Sequence, residues 1–168
     1  MSIDLVRSVY DAVTDWTDRI DDMDDADDPA EGSVTMVEAE QFRAVLGQFA
    51  TGVTVVSMDT AEGPRGITVS AFLSLSLEPP LVGISIDERA GAHATLSEVE
   101  RYGVSILGQT QQPLSDRFAG RPGDVEVDWE RLGGSPVLGG ALVQLDCVIV
   151  DRHRTGDHTL FVGRIEAA

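Results

Sequence analysis

Apolar side chains recur every three or four residues near the start of the chain. That period places them on one face of a helix. The pattern predicts an amphipathic N-terminal helix within residues 1–20, whose apolar face consists of Val6, Val9, Val13, Trp16 and Ile20. A lone helix of this length is only marginally stable in water, so we expect this face to dock on its own domain, a sister subunit or a partner protein.

Residues 21–36 are dominated by aspartate and contain almost nothing that a core would bury. Because like charges repel, the segment is predicted to be an acidic disordered linker. A calcium-binding loop is the specific alternative, but the run lacks the glycine and the terminal glutamate of the EF-hand spacing. The folded domain is therefore predicted to cover residues 37–168.

The remaining chain predicts short helices and short strands. Helices are predicted over residues 38–49, with Phe42, Val45, Leu46 and Phe49 on one face, over 95–101, with Thr95 as N-cap, and over 111–119. Strands are predicted over residues 53–57, 81–86, 102–107, 141–150 and 159–165, and loops over 59–65, 87–93, 120–140 and 152–158. Strands with short helical insertions, without strand–helix alternation, predict a mainly β fold, an antiparallel β-barrel with short peripheral helices.

Composition narrows the class of protein further. The 168 residues carry a net charge of −17, of which residues 1–40 contribute thirteen acidic side chains against two arginines. Such a field repels DNA and RNA, so no nucleic-acid partner is expected. No apolar run is long enough for a membrane helix, and the first residues lack the pattern of a secretory signal, so we expect a cytoplasmic protein without a membrane partner.

Cysteine and histidine offer little chemistry by themselves. Cys147 is the only cysteine, and its alternation with apolar neighbours on a strand predicts a small buried hydrophobe. His93 and His153 are predicted to lie on the surface. Three scattered histidines without a carboxylate at ligand spacing predict no metal site. The chain also has neither a Gly-x-Gly-x-x-Gly fingerprint after a first strand nor a Walker loop.

Small hydroxyl side chains are concentrated in residues 66–80, which contain Thr68, Ser70, Ser74 and Ser76. One interpretation is a loop between strands whose hydroxyls and bare backbone hold a phosphate or another oxygen-rich group. The other is an ordinary strand with its hydroxyls on the solvent face. The residues alone leave both interpretations open.

Four segments in order resemble the flavin reductase-like family of split-barrel FMN-binding proteins, over residues 40–166. The matching residues are Phe42-Arg43-x-x-Leu46-Gly47-x-Phe49-Ala50-Thr51-Gly52-Val53-Thr54-Val55-Val56, Gly66-Ile67-Thr68-Val69-Ser70-Ala71-Phe72-x-Ser74-Leu75-Ser76-x-x-Pro79-Pro80-Leu81-Val82, Leu114-Ser115-x-Arg117-Phe118-Ala119-Gly120 and Gly156-Asp157-His158-x-x-x-x-Gly163. The resemblance implies a homodimeric Greek-key split β-barrel with flavin at the subunit interface.

The resemblance also implies which residues bind. Many members have a second hydroxyl where this chain has Ala71, so only the Ala71 backbone N–H would serve there. Members often place a phosphate-binding serine in the loop after residue 86, where this chain offers Arg89 as a bidentate partner instead. His158 is the implied catalytic residue, near flavin and nicotinamide, unless it is only a turn histidine capped by Asp157. The expected cofactor-binding residues are Thr51, Gly52, Thr68, Ser70, Ala71, Ser74 and Arg89.

The function that the resemblance implies is an NAD(P)H-dependent flavin reductase, which transfers hydride to FMN or FAD and supplies reduced flavin to a partner monooxygenase. No acid–base pair is needed, since the cofactor carries the chemistry. Two alternatives stay open: an FMN-binding electron-transfer protein that does not oxidise NAD(P)H, and an adaptor that works through its acidic N-terminal arm.

Overall fold

The computed structural model describes residues 37–168, and the helix and linker predicted for residues 1–36 lie outside this range. The described residues belong to two units, of which one ends at Gly47 and the other covers Gln48–Ala168. In the first unit, helix α1 covers Ala39–Leu46. It ends at Gly47, whose N–H donates to the carbonyl of Arg43 at 2.9 Å. The prediction of a helix reaching Phe49 was therefore too long by about one turn.

The second unit is built on one seven-stranded antiparallel sheet, so the prediction of a mainly β fold is confirmed. The order of the strands across the sheet is β2-β1-β5-β8-β9-β4-β3. Their bounds are β1 Thr54–Thr60, β2 Gly63–Val69, β3 Phe72–Leu77, β4 Pro80–Asp87, β5 Arg101–Ile106, β8 Val143–Thr155 and β9 His158–Ala167.

The two edge strands of this sheet, β2 and β3, follow one another in the chain. Only Ser70 and Ala71 separate them, so the two edges must approach each other at this link. The Ser85 N–H on β4 donates to the carbonyl of Ala71 at 3.1 Å and fixes the link against the sheet. Residues 66–80 therefore contain the end of β2, the two-residue link and all of β3, and binding of an oxygen-rich group by their hydroxyls stays a prediction.

The hydrophobic core lies on the inner side of this curled sheet, where residues of its strands meet. Its members are apolar residues of β1, β2, β4, β5, β8 and β9 together with Leu96 of helix α2 (Gly91–Glu98): Val56, Met58, Val69, Val82, Ile84, Ile86, Leu96, Tyr102, Val104, Leu145, Cys147 and Phe161. Cys147 is completely buried, as predicted. Burial raises the pKa of its thiol to about 12, so the group stays protonated.

Two helices of this unit pack against strands β1 and β2, at one end of the sheet. Helix α2 covers Gly91–Glu98, so the predicted helix over residues 95–101 was wrong at both ends: Thr95 lies inside α2 and Arg101 already belongs to β5. Helix α3 covers Gln112–Phe118 and follows a short 3-10 turn at Gln109–Gln111. Phe118 packs so closely on β2 that a Cβ at Gly66 would lie 2.9 Å from its ring.

Two hairpins were missed and a third was predicted with too long a connection, because all three turns are short. Strands β1 and β2 turn at residues 61–62 and not through a loop over 59–65. Within the predicted loop 120–140, β6 Trp129–Leu132 pairs with β7 Ser135–Leu138. Strands β8 and β9 turn at Gly156, where φ is +64°, so most of residues 152–158 is strand. No helix within residues 37–168 combines the length and the apolar character needed to cross a bilayer.

Candidate functional site

A cleft opens where the two edges of the sheet meet. It has a volume of about 250 Å³ and an open mouth. The end of β2, the link, the end of β4 and the first residue of β9 form its walls. The lining residues are Ile67, Thr68, Val69, Ser70, Ala71, Ser85, Ile86, Asp87, Ala90 and His158. The fold thus brings together four of the residues predicted to bind or to catalyse: Thr68, Ser70, Ala71 and His158.

The link offers hydrogen-bond donors that the protein does not use itself. Among residues 37–168, neither the Ser70 hydroxyl nor the backbone N–H of Ser70 or Ala71 has a partner. Thr68 differs, because its hydroxyl donates to the carbonyl of Ser115 at 2.7 Å and only its lone pairs remain. A hydroxyl and two successive amides suit an oxygen-rich ligand such as a phosphate or the polar edge of a flavin. The link therefore fits the group that the resemblance implies.

His158 opens strand β9 and lies opposite Asp87 in the β4–β9 ladder. Its Nδ1 lies 2.7 Å from Oδ1 of Asp157. The hydrogen bond from His158 lowers the pKa of the Asp157 carboxyl, which is therefore ionised at neutral pH. Since a carboxylate only accepts, the neutral imidazole carries its proton on Nδ1 and leaves the lone pair of Nε2 available in the cleft.

Arg89 does not line the cleft but binds Asp87, which does. Its Nε and Nη2 donate to the two oxygens of Asp87 at 3.0 and 2.7 Å, and its backbone N–H donates to Oδ1 at 2.8 Å. These bonds hold the pKa of Asp87 far below its usual range. The same pair raises the pKa of Arg89. The Nε–Nη2 edge of the guanidinium is thus already engaged, and the role of Arg89 as a phosphate ligand stays a prediction.

Thr51 and Gly52 lie in a second cleft, of about 310 Å³. Its walls are the chain before β1 and the segment that leads into α3, including Gln109, Gln112 and Ser115. The side chains of Gln109 and Gln112 have no hydrogen-bond partner within residues 37–168. The bond from Thr68 to the Ser115 carbonyl connects the walls of the two clefts. The structure therefore does not place Thr51 and Gly52 beside the Ser70–Ala71 link.

Ser74 is not brought to either cleft. It lies exposed on edge strand β3, opposite Val82 of β4. His93 was predicted to be a surface residue, and this was wrong: it is half-buried, bonds Thr159 Oγ1 at 2.8 Å and meets the Phe161 ring edge-on. His153 is exposed as predicted, beside Asp151. No cluster of three potential metal ligands occurs in the described part of the chain.

The family model described as flavin reductase like domain matches residues 46–168, well over half of the chain. The chain belongs to the flavin reductase-like family. An NADH-dependent flavin reductase of a Rhodococcus species is 47% identical over 130 residues, which cover 74% of this chain and 73% of the relative. The reductase component of 4-hydroxyphenylacetate 3-monooxygenase of Thermus thermophilus is 40% identical over 128 residues, 76% of this chain and 82% of that protein.

Solved structures of the family have the same fold. The flavin reductase PheA2 in its native state superimposes with a TM-score of 0.74 at 42% identity, over 77% of this chain and 85% of that one. The NADH:FAD oxidoreductase SgcE6 of Streptomyces globisporus gives 0.69 at 39% identity, over 82% and 85% of the two chains. The β fold described above is thus shared with solved structures of flavin reductases.

Sequence reasoning missed Asp87, Gln109 and Gln112. Asp87 had a usable signal, because it is the polar residue that ends a buried strand, where binding residues are frequent. The two glutamines had none, since nothing in their spacing distinguishes them from an ordinary turn before a helix. Only the folded chain shows that they face the same cleft as Thr51.

Proposed function

We propose that this chain is an NAD(P)H-dependent flavin reductase and that the cleft at the Ser70–Ala71 link is its flavin site. The observation that carries the assignment of the site is the set of unused donors at Ser70 and Ala71 beside His158. The activity is that of the relatives, which are NADH-dependent flavin, FMN and FAD reductases. NADH is the reductant, and FMN or FAD is the acceptor.

Bound flavin supplies the redox chemistry, by accepting a hydride from the nicotinamide. The residues of this chain bind, orient and exclude water. Ser70 and the Ala71 amide donate to oxygens of the flavin, and Thr68 accepts from its hydroxyls. His158, held by Asp157, presents Nε2 as an acceptor that orients the nicotinamide. No group in the cleft has to act as a general base, in keeping with hydride transfer.

The functional unit in this proposal is a homodimer of split barrels. The linked edges of the sheet support the barrel, since β2 and β3 are one turn apart in the chain. The cleft supports the dimer, because about 250 Å³ falls short of the roughly 300–1,000 Å³ of ordinary ligand pockets, so a second chain would complete it. Leu73, Leu75 and Leu77 alternate along edge strand β3 and are 42%, 40% and 81% exposed, which suits such an interface.

A partner monooxygenase is proposed as the consumer of the reduced flavin. Several relatives are named as reductase components or subunits of flavin-dependent monooxygenases. The styrene monooxygenase flavin reductase of Pseudomonas putida, at 38% identity and a TM-score of 0.70, is another. A coupled assay in which an oxygenase turns over only when this chain is present would support the proposal.

The test of the activity combines NADH or NADPH with FMN or FAD and follows the nicotinamide absorbance. Oxidation with at least one pair is expected, and no oxidation with any pair would refute the reductase function in favour of a flavin-binding electron carrier. Ser70→Ala tests the site, because loss of one bond to a charged group costs about 1.5–3 kcal/mol of binding. Ser97→Ala, on the exposed side of α2, is the matched control, since Ser97 bonds only the His93 carbonyl.

A further inference from the structure

Asp87, Glu88 and Arg89 each contact the β8–β9 turn. Asp87 pairs with His158 in the strand ladder. The Glu88 N–H donates to the carbonyl of Asp157 at 3.0 Å. Arg89 Nη2 lies 3.7 Å from Asp157 Oδ2. The segment between β4 and α2 is therefore fitted to the turn that carries the Asp157–His158 pair.

The side chains of the same segment strengthen this connection. Glu88 forms an ion pair with Arg154, on the β8 side of the turn, with Nε 2.9 Å from Oε1. Arg89 is held in place by three bonds to Asp87, one of them from its own backbone. A guanidinium fixed by Asp87 keeps its contact with Asp157, whose other oxygen binds His158. The chain of contacts thus runs from Asp87 to the imidazole.

The charges around Arg89 argue against its use as a phosphate ligand. Asp87 and Asp157 are both ionised and both lie beside it, so its positive charge is balanced locally. Arg89 is also absent from the residues that line the cleft, whereas Asp87 and His158 line it. Nη1 and the second N–H of Nη2 form no hydrogen bond within residues 37–168, but Asp157 Oδ2 lies 3.7 Å from Nη2, so a phosphate bound there would be repelled by a second carboxylate.

We infer that Arg89 is a positioning residue: through Asp157 it holds the His158 imidazole in the orientation and tautomer that the reductase uses. The inference rests on the proposed function and assigns Arg89 to the nicotinamide side of the site, not to the flavin phosphate. Arg89 touches no reacting atom in this arrangement. It restrains the Asp157 carboxylate, and the carboxylate fixes the proton on Nδ1 of His158.

The variants are Arg89→Gln, which removes the charge, and Arg89→Lys, which keeps it without the planar fork. Arg65→Gln is the matched control, since Arg65 forms an equally exposed ion pair, with Glu62, at the β1–β2 turn. Flavin-free protein, with its imidazoles neutral at alkaline pH, is compared by ring ¹⁵N chemical shifts, which report the tautomer of His158. Affinities for FMN and for riboflavin, which lacks the phosphate, are measured by fluorescence quenching.

The inference predicts that Arg89→Gln moves His158 from the Nδ1–H form towards a mixture with the Nε2–H form, with a smaller change in Arg89→Lys and none in Arg65→Gln. FMN and riboflavin affinity should change equally, and kcat should fall about two- to fivefold, as expected for an exposed ionic contact. An unchanged tautomer in Arg89→Gln overturns the inference. So does an about ten- to hundredfold loss of FMN affinity with riboflavin unaffected, because that is the cost of removing a charged phosphate ligand.

Failure of the proposed function gives a different result. Wild-type protein would then oxidise neither NADH nor NADPH with any flavin, whatever the tautomer of His158. The ¹⁵N shifts of flavin-free protein still decide whether Arg89 positions the imidazole. An active wild type with a phosphate-dependent Arg89→Gln defect would instead keep the function and refute the inference.

Discussion

Asp146 is the buried charge on which the missed β6–β7 hairpin depends. Its side chain is 3% exposed and lies on β8. It accepts hydrogen bonds from Arg101 Nη1 at 3.0 Å, from the Gly134 N–H at 3.2 Å and from the Ser135 hydroxyl at 2.6 Å. Gly133 completes the turn at a φ of +55°, with no room for a Cβ beside this carboxylate. We predict that Asp146→Asn detaches the hairpin from the sheet.

The expected loss of stability follows from the three hydrogen-bond donors to Asp146. An asparagine oxygen can still accept from Ser135, but its NH₂ group would face the Gly134 N–H or the Arg101 guanidinium. Two bonds to a charged acceptor are lost, each worth about 1.5–3 kcal/mol, while the half-exposed Arg101 recovers part of its loss in water. We therefore expect the free energy of unfolding to fall by about 3 kcal/mol. For a domain of this size, that lowers Tm by roughly 10 °C.

The assay is urea denaturation followed by tryptophan fluorescence, because Trp129 lies on β6 itself. Asp59→Asn is the control: Asp59 also binds an arginine bidentately, Arg131, but its side chain is 44% exposed. An exposed ion pair is worth up to about 1 kcal/mol, so the control should unfold close to the wild type. Equal, small losses in both variants would show that Asp146 does not hold the hairpin.

Three further predictions concern single positions. Gly163→Ala should destabilise by about 1–3 kcal/mol by chemical denaturation, because its Cβ would meet Tyr102 Oη at 2.3 Å, and unchanged stability would contradict this packing. Cys147 should resist iodoacetamide at pH 8 in native protein and react only after unfolding, given a pKa of about 12. Asp87→Asn should lower stability at neutral pH. The pKa of Asp87 in the folded protein lies below the ordinary value of 3.8, so its contribution to stability is complete above that pH and is lost as the pH falls below it. The stabilities of wild type and variant should therefore converge in acid. A difference that stays constant with pH would refute the Asp87–Arg89 pair.

The order and type of most elements were legible in the residues. Buried strands such as residues 81–86 and 102–107 are near-continuous apolar runs, and local pattern is enough to find them. Turns were harder. The β1–β2 turn contains Ala61 and Glu62, which carry no strong turn signal, so the pattern predicts a loop where the structure has a hairpin. Helix α2 begins at Gly91 and was placed four residues late, since glycine there suggests a loop.

The candidate site, like the fold, could be predicted only in part from the sequence. The hydroxyls of Thr68 and Ser70 and the turn histidine His158 were visible in the sequence as a composition and a motif. That Ser70 and His158 share one cleft, while Thr51 faces another and Ser74 faces neither, follows from the curl of the sheet. The sequence shows which hydrogen-bond donors are present, but the order of the strands decides which of them line the same cleft.

The family, the β class and the available chemistry could be predicted from the residues, because these depend on residue types and short spacings. Tertiary structure alone decided the partners of each charge. Arg89 could be read from the sequence as a free cation for a phosphate, yet in the fold it lies between Asp87 and Asp157, which are 70 positions apart in the chain. Pairing across such separations depends on register and topology, and no local pattern encodes it.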